Sequence, residues 1–157
     1  MREIIYMPAA SIALQAHARL MQQVRKHAQA DLPIEQGDRL PQLEAGCCVH
    51  ILAHAQADGE PQIMIRDLRQ RDGVLMLDQG GRHKSHTPAE LANALLRAGL
   101  HNQKLTLALH VFGAGAGSQA RYAHSLRLAL DLLGLCAVEV AISALALHAA
   151  LPLRKAA

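Results

Sequence analysis

The sequence predicts a single α/β domain: a mainly parallel sheet with helices on both faces and a β-hairpin insertion. Three observations predict it. Short apolar runs alternate with segments of helical period along the 157 residues. The runs CCVHILAH (47–54) and KLTLALHVF (104–112) are mostly apolar, as strands covered on both faces must be. Between them lie segments that read as a hairpin and a helix, so the element order is β-α-β-(hairpin)-α-β-α-β.

EIIYMP (3–8) is a short β-branched and apolar run stopped by Pro8, the pattern of a first strand. Residues 10–30 read as a helix. Ser11 stands at its N-cap position, and Leu14, Ala18, Met21, Val24 and Ala28 recur at helical spacing. The stretch 31–46, with two prolines and two glycines, reads as a loop. After the 47–54 strand, residues 61–78 place two apolar runs around Arg71-Asp72-Gly73, which predicts an antiparallel hairpin, and 79–86 reads as an exposed loop. Thr87, Pro88 and Glu90 then spell a capping box with proline at the first helical position, and this helix stops at Gly99. Following the 104–112 strand, 118–133 reads as a helix ended by Gly134, and CAVEVAIS (136–143) as a last strand. The apolar tail 143–153 suits either a sheet edge or an interface.

Composition narrows the function. Hydrophobic residues make up 51% of the chain, yet its aromatic rings are Phe112, Tyr6 and Tyr122, with no Trp. Single-stranded nucleic acid is gripped largely by base stacking on such rings, and the net charge of +3 comes from scattered Arg and Lys. Nucleic-acid binding is therefore not expected. No apolar run reaches the roughly 18 residues of a membrane span. The closest, 135–153, is broken by Glu139, His148 and Pro152. No signal-peptide h-region follows Arg2 and Glu3, and three cysteines make no disulfide framework. The expected setting is cytoplasmic, or delivery by a secretion machine that needs no cleaved signal.

In parallel α/β sheets, ligands gather at the C-terminal ends of the strands. One such end is VFGAGAGS (111–118), where Gly113, Gly115, Gly117 and Ser118 lie between a strand and a helix. That is the mechanics of a phosphate cradle. A P-loop lysine is missing, however, and Gly117 comes one position early for a dinucleotide fingerprint. A tight strand-to-helix turn fits these residues as well, with Ser118 as the helix N-cap. The other end is His54, placed as a general acid or base would be. A half-buried histidine with a satisfied hydrogen bond fits it equally.

No metal or other cofactor is expected. His50 and His54 share one side of their strand but stand about 13 Å apart by strand rise, too far for shared ligation. His83 and His86 read as loop residues. Cys47, Cys48 and Cys136 each open a strand rather than ending one, and read as small apolar core residues.

Taken together, several segments carry a resemblance. A hydrophobic strand ends in His54 and is followed by a hairpin, TPAELANALLRAGL, a second strand ending in a small-residue loop, and YAHSLRLALDLLG. Over about residues 46–143 this arrangement resembles caspase-like (clan CD) cysteine peptidases, nearest the processing domains of bacterial toxins and related effectors. The resemblance implies a three-layer sandwich with the catalytic His at the first strand tip, followed by Gly, and the catalytic Cys at the second, just before a Gly. Here His54 is followed by Ala55, and Phe112 precedes Gly113. Phenylalanine has no nucleophilic atom.

The resemblance thus implies a catalytically degenerate domain, a pseudopeptidase, acting through a protein partner in a bacterial effector or toxin setting. Two alternatives stand beside it. One is a small-molecule or nucleotide-phosphate-binding domain that uses Gly113–Ser118. The other is an active hydrolase pairing His54 with Ser118 or a cysteine. The resembled processing domains also take inositol hexakisphosphate on a basic site. Arg66, Arg69, Arg71, Arg82 and Lys84 are the matching cluster here, and they equally suit a solvated face. Whether the chain forms a homo-oligomer is left open by the sequence.

Overall fold

The computed structural model describes residues 3–7, 12–27, 32–36, 39–55, 63–66, 68–71, 74–77, 83–112 and 116–142. Glu3–Met7 forms strand β1 and Ile12–His27 helix α1, followed by the short β2 (Ile34–Gln36) and the long β3 (Cys48–Ala55). Four short strands come next: β4 (Ile63–Arg66), β5 (Leu68–Arg71), β6 (Val74–Leu77) and β7 (His83–His86). Helix α2 (Pro88–Arg97), β8 (Leu105–Phe112), α3 (Ala116–Leu132) and β9 (Val138–Ile142) complete the order.

Five of these strands lie side by side as β2-β1-β3-β8-β9, every neighbouring pair parallel. This is the mainly parallel α/β sheet that the apolar runs predict. Strand residues alternate between its faces. Ile4, Tyr6, Val49, Ile51, Leu107 and Leu109 point to one face and pack with Leu91 and Leu95 of α2 and Leu126 and Leu130 of α3. Ile5, Met7 and Leu52 point to the other and pack with Leu14 and Ala18 of α1. The two faces differ in kind. The α2/α3 face is filled with large aliphatic side chains, whereas the α1 face also receives Glu3, Cys48, His50 and His110, by the alternation of the same strands.

Two segments that read as loops are strands. Residues 34–36, within the 31–46 stretch, pair parallel with β1, Ile5 opposite Ile34. Residues 83–86, within 79–86, pair antiparallel with β4, Ile63 opposite His86. Both are short and lack apolar alternation, so only the partner's backbone makes them strands. The hairpin is also divided differently. β5 and β6 pair antiparallel with Arg71 opposite Val74, so the connection falls at 72–73 as the Asp-Gly pair predicts. β4 belongs instead to the main sheet, where Met64 and Ile63 lie opposite His54 and Ala55. Helix α3 begins at Ala116, which puts Ser118 inside the first turn rather than at the N-cap. Of the α1 stripe, Leu14 and Ala18 are buried but Val24 is 54% exposed, since it lies about 120° around the helix from Ala18 while Gln22 and Arg25 continue the inward face. The expected cap Ser11 and the apolar tail lie outside the described residues.

The ends of α2 and α3 are set by local chemistry. Thr87 Oγ1 accepts the Glu90 backbone N–H at 3.2 Å and donates to the Glu90 carboxylate at 3.0 Å, a variant of the predicted box. At the C-termini, Leu100 N–H reaches Leu95 C=O and Leu135 N–H reaches Leu130 C=O, the six-to-one bond of a Schellman cap. The residues that turn the chain there are Gly99 and Gly134, at φ 109° and 79°. Each is followed by a buried leucine that leads toward the next strand.

The same substitution should therefore act with opposite sign at two glycines. Gly134→Ala forces a side chain into left-handed backbone and costs about 1–2 kcal/mol. Gly117→Ala, in the first turn of α3, meets only the Arg121 guanidinium at 3.9 Å and stabilises by roughly 0.4–1 kcal/mol. Urea melts of the two variants check the signs. Thr87→Ala should lose about 1 kcal/mol in the same assay.

Candidate functional site

Strand order reverses direction at β1 and β3, because the chain leaves β1 toward β2 on one side and β3 toward β8 and β9 on the other. The C-terminal ends of strands at such a switch point are where α/β sheets hold ligands. Here β3 ends in His54 and Ala55, and the adjacent β8 ends in Phe112. Their backbones are in register, His54 opposite Phe112 on one side and opposite Met64 on the other. Two residues 58 positions apart in sequence (112 − 54) are thus cross-strand neighbours.

Phe112 is half-buried and takes part in the α1-side core. Its ring stacks on the His17 imidazole of α1, centroids 4.1 Å apart and planes 19° from parallel. Burial lowers the His17 pKa, so this imidazole stays neutral near pH 7 and the stack is an apolar contact. Ser118 lies beyond this tip, in the first turn of α3, with its hydroxyl 3.4 Å from the Arg121 guanidinium. Gly117 is exposed beside it. Gly113 and Gly115, and the Arg66/Arg69/Arg71/Arg82/Lys84 side chains, fall outside what is described.

A second constellation occupies the α1 face nearer the strand starts. His50 lies opposite Ile5 of β1 and Ala108 of β8, and His110 lies opposite Leu52. Both imidazoles are 1% exposed, the buried polar residues of an otherwise apolar core. They meet at 2.9 Å, His50 Nδ1 to His110 Nε2. On its other side His50 Nε2 lies 3.2 Å from Glu3 Oε1 and 3.8 Å from Cys48 Sγ. Arg25 of α1 reaches the same Glu3 oxygen at 2.9 Å.

Hydrogen-bond chemistry orders this chain. A carboxylate only accepts, so His50 carries its proton on Nε2 and donates to Glu3. Its Nδ1 is then an acceptor, which makes His110 Nε2 the donor. That leaves His110 Nδ1 as a buried lone pair with no partner among the described residues. Burial holds both imidazoles neutral. His110 is pushed down to about 3, first by desolvation and then by the neighbouring His50. Desolvation also lowers His50, opposed by its hydrogen bond to Glu3. Burial and the Glu3 charge push the Cys48 thiol up to about 11.

This cluster is not among the sites that the sequence predicts. Along β3 alone His50 and His54 stand too far apart to share a ligand, and Cys48 by itself has the look of a small apolar core residue. Cys48 is instead half-buried beside His50 and Glu3. The signal was present as polar residues inside apolar strand runs, His50 in CCVHILAH and His110 in LALHVF. A buried polar group needs a partner, and the partner here lies across the sheet.

Acid stability reports on the imidazole pair. Unfolded histidine titrates near 6.5 and folded His110 near 3, so between these values the unfolded chain binds a proton that the fold refuses. The His110 contribution is full above about pH 6.5 and falls as the pH drops toward 3, by up to about 1.4 kcal/mol per pH unit. Thermal melts from pH 7 to 4 should show this fall, and His110→Leu should flatten it. An unchanged slope in that variant would mean His110 titrates as an ordinary histidine.

Comparison with known proteins yields no relative from which a role could be carried over: no family model, curated protein or solved structure matches the chain.

Proposed function

We propose that this protein is a catalytically degenerate caspase-like domain that binds a protein partner at the tips of β3 and β8. The observation that carries the reading is the register of His54 opposite Phe112 at those tips. In a peptidase of the resembled kind, a histidine and a cysteine would stand at two such positions. Phe112 replaces the thiol with a ring that stacks on His17 and packs into the core. Such a tip cannot attack a carbonyl, because nucleophilic catalysis needs an ionisable or hydroxylic atom there. Beside it, His54 ends β3, one of the two strands at the switch point where α/β sheets receive ligands. Recognition without cleavage is the activity left to it.

The alternative nucleophiles are poorly served by the geometry. Ser118 sits in a helical turn with its hydroxyl beside Arg121 and no general base among its described partners. Cys48 is at the opposite end of β3 from His54, and its thiol is held protonated. Cys136 is exposed on the loop before β9.

A display library of unstructured peptides tests the reading. Selected peptides should bind in the micromolar range and come off intact, and His54→Ala together with Phe112→Ala should abolish binding. Peptide cleavage that disappears in His54→Ala would sink the pseudopeptidase reading. Absence of any selected peptide would sink the interaction reading.

A further inference from the structure

We infer that Glu3, Cys48 and His50 form a binding site for a divalent transition-metal ion of the zinc class, at the α1 face of the sheet and apart from the strand tips. Their ligating atoms, a carboxylate oxygen, Sγ and Nε2, all lie within 4.8 Å of one another. Two of the three separations lie close to those that one small ion sets. Zinc binds nitrogen and oxygen near 2.0–2.1 Å and sulfur near 2.3 Å, so tetrahedral ligands sit about 3.3 Å apart for an N/O pair and about 3.5 Å for an N/S pair. The site offers 3.2 Å between His50 Nε2 and Glu3 Oε1, and 3.8 Å between His50 Nε2 and Cys48 Sγ. Little movement is needed to close on an ion.

The donor set selects the metal class. Thiolate with imidazole and one carboxylate suits zinc or cobalt, and does not suit the all-oxygen preference of magnesium or calcium. Three protein ligands leave a fourth tetrahedral position for water or a further ligand. Glu3 and Cys48 are only partly buried, so that position has a route to solvent.

A second observation is independent of the donor distances. His110, 1% exposed, holds the far nitrogen of His50 at 2.9 Å. Holding the far nitrogen of a ligating imidazole is the outer-shell role that fixes ring orientation and tautomer at metal sites.

Proton accounting follows. On binding, the His50 proton shifts from Nε2 to Nδ1 and is donated to His110 Nε2. The His110 proton shifts to Nδ1, and neither ring changes charge. Cys48 loses its thiol proton to solvent, so one proton is released per ion bound. Arg25 shares the Glu3 oxygen and competes with the ion, which weakens the site.

The test uses the untagged full chain with Cys136→Ser, which removes an exposed thiol. Titration with Co²⁺ should give one equivalent and a near-ultraviolet thiolate-to-cobalt band, displaced by Zn²⁺. Cys48→Ser should abolish the band, Glu3→Gln should weaken binding at least tenfold, and Arg25→Gln should tighten it. In the unaltered chain, Zn²⁺ should protect Cys48 from alkylation, mapped by mass spectrometry, and leave Cys136 reactive. The last measurement needs no variant to fold. A cobalt band that survives in Cys48→Ser, or Cys48 alkylation indifferent to Zn²⁺, overturns the site.

Discussion

Everything in this fold is built around β3, which is hydrogen-bonded along both edges and covered on both faces. β1 and then β4 occupy one edge, β8 runs along the other, and Val49, Ile51, Leu52 and Ala53 are all buried. A strand so enclosed cannot turn a polar side chain to water, so each one must find a partner within the sheet or its covering helix. His50 meets that demand with Glu3, Cys48 and His110, drawn from three different strands. Removing His110 leaves the buried His50 Nδ1 without its partner, a penalty of about 1–3 kcal/mol.

The two faces of the sheet consequently have different work. Against α2 and α3 lies a large aliphatic cluster, from Ile4 to Val138, that supplies most of the hydrophobic stabilisation. Against α1 lies a smaller cluster of Ile5, Met7, Leu14, Ala18, Leu32 and Leu52 that shares its face with charged and titratable groups. Stability is concentrated on one side, which lets the other carry polar chemistry. The Arg25–Glu3 pair also ties α1 to the first residue of β1, so the helix is held by charge where its apolar packing thins out.

Two regions of the α1 face thus have different characters. Toward the strand tips, Phe112 and His17 form a neutral aromatic contact. Toward the strand starts, Glu3, Cys48 and His50 form a cluster rich in ligating atoms. The first region is closed by a ring contact, and the second has a set of ligating donors. Because they share β3 and α1, a change in how α1 seats on the sheet would reach both.

Much of the fold was legible in the sequence because its causes are local. Apolar runs announced β1, β3, β8 and β9, while Thr87-Pro88 and the glycines at 99 and 134 marked helix ends through backbone chemistry of a few adjacent residues. β2 and β7 were not legible, since nothing in IEQ or HKSH asks to be a strand until a neighbouring backbone offers its hydrogen bonds. The polar cluster was hidden for a related reason. Along β3, His50 and His54 are separated by about 13 Å of strand rise, whereas neighbouring strands lie only about 4.8 Å apart. Sequence by itself determined that His50 and His110 would be buried in apolar strands. Only the tertiary structure decided that they would face each other with Glu3 and Cys48, because strand order and register, not chain distance, choose which side chains meet.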